Sequence, residues 1–312
     1  MSVSIKELPE CPQRLCAGHR LCAGCGAPIV AKMVMMGTKD PVVVSNATGC
    51  LEVATTIYPY TSWDTPWIHN AFENSAATIS GAETAYRALK KKGKIDKDVK
   101  FLAFGGDGGT YDIGLQSLSG ALERGHDFVY VCYNNEAYMN TGIQRSSATT
   151  KGASTTTSPA GNVIPGKSQF AKDLTGIVAA HGIPYVAQGA ISNWKDLIEK
   201  ARKAFAVEGP AFLNIMSPCP PGWKHKTEKT VEIAELAVSS KIWPLYEVEN
   251  GVWKISKTPR KQKPVKDWLD MQGRFRHLKR EENKHIINEI QEWVDDNWKR
   301  LENMQEATSK EE

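Results

Sequence analysis

Glycine residues, one carboxylate and one side-chain amide follow two apolar segments in a pattern that suits the binding of a phosphate group and a metal ion. The stretch Gly105-Gly106-Asp107-Gly108-Gly109 comes after the first segment, and Asn134-Asn135 comes after the second. Glycine lets the backbone approach a bulky anion closely, and the free N–H groups at the start of a following helix favour phosphate. Asp107 and Asn135 carry hard oxygen donors of the kind that Mg²⁺ binds. With phosphate oxygens and a backbone carbonyl, they would complete an octahedral shell.

The elements around these residues are predicted to bring them to one edge of a β-sheet. Residues 99–104 and 128–133 are short apolar runs, typical of buried strands. The segment between them is predicted to be a helix whose apolar side carries Ile113, Leu115, Leu118, Ala121 and Leu122. The two strands of such a unit are parallel, and ligands of open α/β sheets bind at the carboxyl ends of the strands. One alternative remains open, namely a turn without a ligand in which Asp107 only caps the helix.

Composition restricts the class of protein. The chain has 312 residues, 41% of them hydrophobic and 24% charged, which is typical of a soluble globular chain with one large or two small domains. A net charge of +4 argues against a dedicated nucleic-acid binder. We find no apolar run long enough to span a membrane and no apolar signal core at the N-terminus. We therefore expect a cytoplasmic protein with neither a nucleic-acid nor a membrane partner.

Strands and helices are predicted to alternate over most of the chain. Strands are predicted at 41–45, 99–104, 128–133, 185–187 and 211–216, and further helices at 29–34, 73–92, 173–180 and 194–206. This alternation predicts an α/β fold with a doubly wound, mostly parallel sheet. Two stretches, 52–70 and 145–167, are predicted to be irregular, and a loop as long as the second is usually functional or mobile.

The C-terminal part has a different pattern. Helices are predicted at 228–239, 265–272 and 283–304, and a hairpin is predicted at 245–255, turning at Glu249-Asn250-Gly251. We expect residues 1–225 to form the ligand-binding α/β domain. Residues 226–312 are expected to form an arm that lies over a neighbouring subunit, with residues 306–312 disordered.

Seven cysteines in a cytoplasmic chain indicate metal or redox chemistry rather than structural disulfides. Cys22 and Cys25 form a CxxC pair, which suits zinc, a redox dithiol or an iron–sulfur cluster. Cys50 and Cys219 each follow a predicted strand, so a four-cysteine site would lie on the same sheet edge as Asp107. Spacing alone does not separate zinc from iron and sulfide. The other three cysteines are a predicted buried residue, Cys132, and the spare Cys11 and Cys16.

Along nearly its whole length the chain resembles a known family, the 2-oxoacid:ferredoxin oxidoreductases. Within that family it resembles the β subunits of the four-subunit pyruvate enzymes. The matching stretches are GHRLCAGCG (18–26), ATGCLEV (47–53), PWIHNAFEN (66–74), FGGDGGTYDIGLQSLSGALERGH (104–126), NNEAYMNTGIQRS (134–146), TTTSP (155–159) and KIWPLYEVENG (241–251). The resemblance implies decarboxylation of a 2-oxoacid on thiamine diphosphate. It also implies transfer of two electrons through [4Fe–4S] clusters to ferredoxin and release of an acyl-CoA.

The resemblance also implies roles for individual residues. Asp107 and Asn135 would bind Mg²⁺ through their side chains, and Ala137 would bind it through its backbone carbonyl. The residues implied to lie at the diphosphate are Gly106, Gly108 and Gly109. The residues implied to hold the cluster nearest the thiamine are Cys22, Cys25, Cys50 and Cys219. Asn140 would direct its amide at the substrate, and Asn134 stands where the family often has Asp, a change that should not remove the metal ligand.

The partners implied are α, γ and δ subunits, ferredoxin, a 2-oxoacid and coenzyme A. The glutamate that activates the cofactor would belong to another subunit. For His69, a packing or subunit-contact role is favoured over proton transfer. Pyruvate is the expected substrate, with oxalate, a branched-chain 2-oxoacid and 2-oxoglutarate as alternatives. Two rival functions are a non-redox thiamine decarboxylase subunit, against which the four cysteines argue, and a zinc-stabilised scaffold, which would not need Asp107 with Asn135.

Overall fold

One eight-stranded sheet organises the chain in the computed structural model, which describes residues 3–309. The strands are β1 (Val42–Ala47), β2 (Trp67–Asn70), β3 (Lys100–Gly106), β4 (Val129–Asn134), β5 (Tyr185–Ala190), β6 (Ala211–Met216), β7 (Leu245–Glu249) and β8 (Val252–Lys257). Their order across the sheet is β2-β1-β3-β4-β6-β5-β7-β8. The first six in this order pair in parallel, and β7 and β8 pair antiparallel. The prediction of a mostly parallel α/β sheet is confirmed.

Helices cover the faces of this sheet. The α-helices are α1 (Ala27–Met35), α2 (Cys50–Thr55), α3 (Ser75–Lys91), α4 (Leu115–Glu123), α5 (Leu174–Ala179), α6 (Trp194–Ala206), α7 (Pro220–Trp223), α8 (Thr230–Ser239), α9 (Val265–Asp270) and α10 (Lys284–Thr308). A π-helix, Gly108–Ile113, precedes α4, and 3₁₀-helices occupy Ile5–Glu10, Thr227–Lys229, Gly273–Lys279 and Glu281–Asn283. None of the helices between residues 3 and 309 is long and apolar enough to cross a membrane.

The central strands are buried on both faces, which explains why they read as continuous apolar runs. Leu102 and Phe104 of β3 pack on the side of α1 and α6, whereas Phe101 and Ala103 pack on the side of α3 and α4. The side chains of the neighbouring strand β4 alternate between the two sides in the same way. Cys132 of β4 is completely buried on the side of α3 and α4, as predicted. Apolar packing on both sides of the sheet thus fixes the positions of the strand ends, where the polar residues lie.

Two local predictions for residues 1–225 are wrong. Residues 52–70 were expected to be irregular, but they contain most of α2 and the whole of edge strand β2, whose parallel pairing with β1 local sequence does not reveal. Ile113 was expected on the buried side of the helix after Asp107, but it is 56% exposed. It belongs to the π-helix, whose wider turn changes the direction of its side chain relative to a regular α-helix. Leu118, Ala121 and Leu122 are buried as predicted.

The C-terminal residues share the sheet and the core of the rest of the chain. The predicted hairpin forms β7 and β8, which extend the sheet beyond β5. A third apolar cluster joins α8, α9 and α10 to residues of the preceding part, including Met216 and Trp223. The boundary at 225 and the contact of this arm with a neighbouring subunit remain predictions. The expectation of a disordered tail is wrong for residues 306–308, which belong to α10, and residues 310–312 lie outside the described part.

Candidate functional site

A cleft of about 320 Å³ lies at the carboxyl ends of β1, β3 and β4. Parallel pairing places Gly106 of β3 beside Tyr133 of β4, so that the residues after each strand meet at this edge. Seven of the residues named from the sequence line the cleft: Cys50, Gly106, Gly108, Gly109, Asn135, Ala137 and Asn140. Asp107 lies directly behind them and is completely buried. The two motifs that are separated in the sequence therefore form one site.

The glycines of the turn are needed for close packing. A Cβ atom on Gly105 would lie 2.3 Å from the Tyr130 hydroxyl, and one on Gly108 would lie 2.4 Å from the Tyr138 ring. Both distances are far inside van der Waals contact, so a larger residue would displace an aromatic ring. Gly106 has more room, with 3.4 Å to the Tyr133 hydroxyl. Close approach of an anion was the expected reason for these glycines, and the surrounding aromatic rings are a second reason.

Three oxygen atoms converge beside the glycine turn. The side-chain oxygen of Asn135 lies 2.9 Å from Asp107 Oδ1 and 2.9 Å from the carbonyl oxygen of Ala137. Oxygens this close repel one another unless a cation lies among them or the amide turns so that its NH₂ group donates to both. Adjacent ligands of an octahedral Mg²⁺ ion, each about 2.1 Å from the metal, lie about 3 Å apart. The spacing and the chemistry of these three donors therefore fit Mg²⁺.

The environment of Asp107 disfavours the ionised form of its carboxyl group. Burial raises the pKa of Asp107 to about 7, although hydrogen bonds from Ser146 and from the Asn135 backbone oppose the shift. Ser146 Oγ donates to Oδ2 over 2.5 Å, and the Asn135 N–H donates to Oδ1 over 3.2 Å. A divalent cation would favour the ionised form and lower this pKa.

Two supporting residues were missed in the sequence. Ser146 lies in the segment 145–167, which has no helix or strand, as predicted, but folds inward against Asp107. Trp223 of α7 is fully buried and donates its indole N–H to the Asn135 carbonyl oxygen over 2.7 Å. Neither residue carries a local signal, because each acts through a contact with a distant part of the chain. Asn134 has a structural role, since its side-chain oxygen accepts a hydrogen bond from the Glu136 N–H over 3.0 Å.

The four cysteines named from the sequence come from three segments that approach one another beside the cleft. Cys50 begins α2 and lines the cleft. The CxxC loop contacts the segment that carries Cys219, since the Gly26 N–H donates to the Pro218 carbonyl over 3.2 Å. Gly24 has a φ of +73°, and a Cβ atom there would lie 2.3 Å from the Thr227 carbonyl oxygen. Backbone contacts thus hold the two cysteine-bearing loops together.

These thiols act on one another electrostatically. The pKa of Cys25 is raised to about 12, mainly by burial, and Cys219, Cys50 and Cys22 contribute to the rise. Burial also raises the pKa of Cys219 to about 11, with contributions from Cys50 and Cys22. All seven cysteines are free thiols, and Cys11 is buried while Cys16 is exposed.

The spacing of these thiols bears on the kind of metal group they fit. Among residues 3–309, no group of three or more His, Cys, Asp or Glu side chains is close enough to hold a metal ion. A [4Fe–4S] cluster places one thiolate on each of four irons and therefore spreads its ligands more widely than a single zinc ion does. The four thiols are of the ligand type that such a cluster takes, and their loops lie close to one another.

Comparison with known proteins identifies the family. Residues 47–215 match the family described as thiamine pyrophosphate enzyme, C-terminal TPP binding domain. Over 99% of its length the chain is 55% identical to pyruvate synthase subunit PorB of Thermotoga maritima, covering 98% of that protein. The chain belongs to the PorB family of pyruvate synthase subunits. The resemblance stated from the sequence is thereby confirmed, and thiamine diphosphate is the cofactor of the matched domain.

Further relatives agree with this assignment. The PorB subunit of Methanocaldococcus jannaschii is 56% identical over 91% of this chain and 95% of its own length. Ketoisovalerate oxidoreductase subunit VorB of Pyrococcus furiosus is 43% identical over 93% of both chains. A solved 2-oxoglutarate:ferredoxin oxidoreductase from Magnetococcus marinus has a TM-score of 0.54 at 20% identity, covering 71% of this chain and 79% of that one, and shows a shared fold. As a PorB-family member, the chain is an oxidoreductase subunit of a multi-subunit complex.

Proposed function

We propose that this chain holds the Mg²⁺–diphosphate end of thiamine diphosphate beside one [4Fe–4S] cluster in a complex that oxidises pyruvate. The observation that carries the proposal is the convergence of the three oxygens of Asp107, Asn135 and Ala137 in a cleft that Cys50 also lines. Cys50 would therefore place a cluster ligand directly beside the cofactor. Such closeness suits a subunit in which electrons leave the cofactor for a metal cluster.

The roles of the residues follow from their positions. Asp107, Asn135 and the Ala137 carbonyl would bind Mg²⁺. The residues proposed to lie along the diphosphate are Gly106, Gly108 and Gly109, and those proposed to hold the cluster are Cys22, Cys25, Cys50 and Cys219. Thiamine diphosphate, when bound, supplies the electron sink for loss of CO₂ from a 2-oxoacid. Exposed Asn140, which lines the cleft together with Cys50, would orient the substrate from the mouth of the cleft.

Pyruvate is the substrate that the relatives support best. PorB subunits at 55% and 56% identity are named for pyruvate synthase, while the ketoisovalerate relative is more distant at 43%. Oxalate and 2-oxoglutarate are the less favoured alternatives for the substrate. We propose ferredoxin and coenzyme A as the other reactants of the complex, and the cytoplasm as its location.

Partner subunits of the α, γ and δ types are proposed on the surface of the chain. Tyr58 is 93% exposed, Tyr60 is 76% exposed and Val163 is 92% exposed, an arrangement that suits contact with other chains. Helix α3 also presents small exposed residues, including Ala77 and Gly81, so another chain could approach its backbone closely. These surfaces support an active site that is completed by a neighbour.

The test is anaerobic purification of the complex through a tag on this chain. We expect bound thiamine diphosphate, the broad brown absorbance of iron–sulfur protein, and viologen reduction that is fastest with pyruvate among four 2-oxoacids. The four are pyruvate, oxalate, a branched-chain 2-oxoacid and 2-oxoglutarate. The chain expressed alone and reconstituted with iron, sulfide, Mg²⁺ and cofactor is expected to show no turnover. A colourless complex would contradict the cluster, and full turnover by the chain alone would contradict the shared active site.

A further inference from the structure

We propose that Arg274 is a positioning residue for the metal-binding loop and that it acts through Glu136. The inference rests on the proposed function, because it takes Asn135 and Ala137 as metal ligands. Arg274 lies in the 3₁₀-helix Gly273–Lys279, in the C-terminal part of the chain and far in sequence from the cleft. The C-terminal part would thereby help to build the cofactor site of its own chain, in addition to any contact with other subunits.

Glu136 lies between the two proposed metal ligands and has an unusual backbone conformation. Its φ is +63°, in the left-handed region that side chains other than glycine seldom adopt. Such a conformation persists when surrounding contacts enforce it, and it is enriched at functional sites. At this turn it directs the Asn135 side chain and the Ala137 carbonyl toward the same point. What holds Glu136 in place therefore also sets the spacing of the metal ligands.

Several polar contacts hold Glu136. Its carboxylate accepts hydrogen bonds from the Thr150 hydroxyl over 2.8 Å and from the Thr150 N–H over 3.3 Å. Its backbone carbonyl accepts a hydrogen bond from the Thr149 hydroxyl over 2.6 Å. The charge is balanced by Arg274, whose Nη2 lies 2.8 Å from Glu136 Oε2. Both charged side chains are almost completely buried, at 5% and 2% exposure, so water screens the pair very little.

Arg274 is itself fixed in position by aromatic rings. Its guanidinium carbon lies 4.1 Å from the centroid of the Trp223 ring and 4.9 Å from that of Phe275. Trp223 is the same residue that donates its indole N–H to the Asn135 carbonyl. Gln272 adds a further contact, since Arg274 Nε donates to its side-chain oxygen over 2.9 Å. One buried unit thus joins the guanidinium, the indole ring and the metal-binding loop.

Within the described residues, Nη2 of Arg274 makes no hydrogen bond of good geometry. Its contact with Glu136 is therefore a buried ion pair, in which the attraction between the opposite charges stabilises the contact. Cys219 and Asp107 also act electrostatically on Arg274. The guanidinium is therefore near enough to the proposed metal site and to one proposed cluster ligand to act on both electrostatically. Loss of this cation would leave the Glu136 carboxylate buried and unpaired, and the strained turn would relax.

The test compares Arg274→Met, Arg274→Lys and the matched control Arg276→Met in the complex purified through this chain. Arg276 lies on the same 3₁₀-helix, but its side chain is exposed. The probe is Mn²⁺ in the presence of thiamine diphosphate, with free Mn²⁺ measured by electron paramagnetic resonance. We expect Arg274→Met to weaken Mn²⁺ binding about 10- to 100-fold, as removal of an outer-shell partner of a metal ligand does. Arg274→Lys, which keeps the charge but loses the planar guanidinium, should have a smaller effect, and Arg276→Met should have none.

The direction of the change separates positioning from simple electrostatics. Removing a cation near a metal site would tighten Mn²⁺ binding if charge alone mattered, whereas a disordered loop weakens it. A high Mg²⁺ concentration should restore cofactor retention in Arg274→Met. Loss of the buried ion pair should lower the thermal unfolding midpoint, so binding is measured at a temperature at which both complexes are folded.

Unchanged or tighter Mn²⁺ binding by a folded Arg274→Met complex would overturn the inference. Failure of both Arg274 variants to give a folded complex would assign the pair to folding alone and would overturn it as well. Asp107→Asn distinguishes this failure from that of the proposed function. If Asp107→Asn binds Mn²⁺ normally, the metal site itself is wrongly assigned. If only Asp107→Asn loses binding, the positioning role alone is wrong.

Discussion

The proposed metal-binding side of the cleft is buried and hydrogen-bonded, whereas the side that carries the cysteines is more exposed. Asp107 and Asn135 are buried, and the Asn135 amide lies 2.9 Å from both Asp107 Oδ1 and the Ala137 carbonyl oxygen. Cys22 is exposed, Cys25, Cys50 and Cys219 are partly buried, and no three of these thiols are close enough to hold one ion.

The difference follows from what each side is attached to. The oxygens follow directly on the central strands β3 and β4, whose positions the sheet determines. Three of the cysteines lie on loops outside the sheet, and a bound cofactor would set the final spacing of their sulfurs. We infer that the metal side forms as part of folding and that the cysteine side reaches its final geometry with its cluster.

Asp107→Ala should give the largest effect. It removes the only carboxylate of the proposed metal shell, so we expect the purified complex to lose thiamine diphosphate entirely. Cofactor bound per complex after gel filtration is the measurement. Asp98→Ala serves as the control, because Asp98 is an exposed aspartate just before the opposite end of the same strand. Full occupancy in Asp107→Ala would show that the buried side of the cleft is not the metal site.

Cys25→Ser and Cys219→Ser should each lose the iron of this chain while the sheet stays folded. A serine hydroxyl replaces the thiolate poorly as an iron ligand. Iron content and electron paramagnetic resonance of the reduced complex are the measurements. Exposed Cys16 and buried Cys132 provide two serine controls, which should keep their iron. Equal loss of iron in a control would mean that the four ligands are wrongly chosen.

Ser146→Ala should have an intermediate effect on the metal side. It removes the hydroxyl that donates to Asp107 Oδ2, and the loss of such a partner typically weakens metal binding about tenfold or more. Mn²⁺ titration of the complex tests this expectation. Ser147→Ala is the matched control, because Ser147 contributes its backbone N–H and carbonyl to the neighbouring contacts. Identical affinities of the two variants would show that the hydroxyl does not support Asp107.

The smallest effect, a change in the pH dependence of stability, is expected from Lys167. This lysine is buried at the end of the segment 145–167, which also contains Ser146. Lys167 Nζ donates to the carbonyls of Ser147 and Thr149, and burial lowers the pKa of Lys167 to about 8. The pKa of an ordinary lysine is 10.5. Between pH 8 and 10.5, residue Lys167 is therefore more fully protonated in the unfolded chain than in the folded chain. The contribution of Lys167 to the free energy of unfolding should therefore rise with pH across that range. Below pH 8, Lys167 is charged in the folded chain as well, and its burial destabilises the fold most.

Lys167→Met should flatten this dependence. Urea unfolding midpoints at two pH values inside the range, compared between parent and variant, give the measurement, because other titrating groups cancel in the comparison. An equal rise in both proteins would show that Lys167 is not the group responsible.

Local sequence was sufficient for the strand–turn–helix–strand unit and for most of the central sheet. Apolar runs of strand length alternate with helical patterns, and glycine at the turn marks where the first strand ends. Asp107 and Asn135 could be placed together because carboxyl ends of neighbouring parallel strands meet at one edge. The edge strand β2, in the stretch 52–70, was not predicted from the sequence. It is short, and only its pairing with β1 defines it.

By itself, then, the sequence determined the fold class, the family and the residues that follow each central strand. Only the tertiary structure decided that β7 and β8 extend the same sheet, that Ser146 bonds to Asp107, and that Arg274 pairs with Glu136. The physical reason is the range of the interactions. Periodicity and turn chemistry act over a few neighbouring residues and leave a signal in the local sequence. A buried ion pair between residues 136 and 274 depends on how distant segments pack, and neither residue alone carries that information.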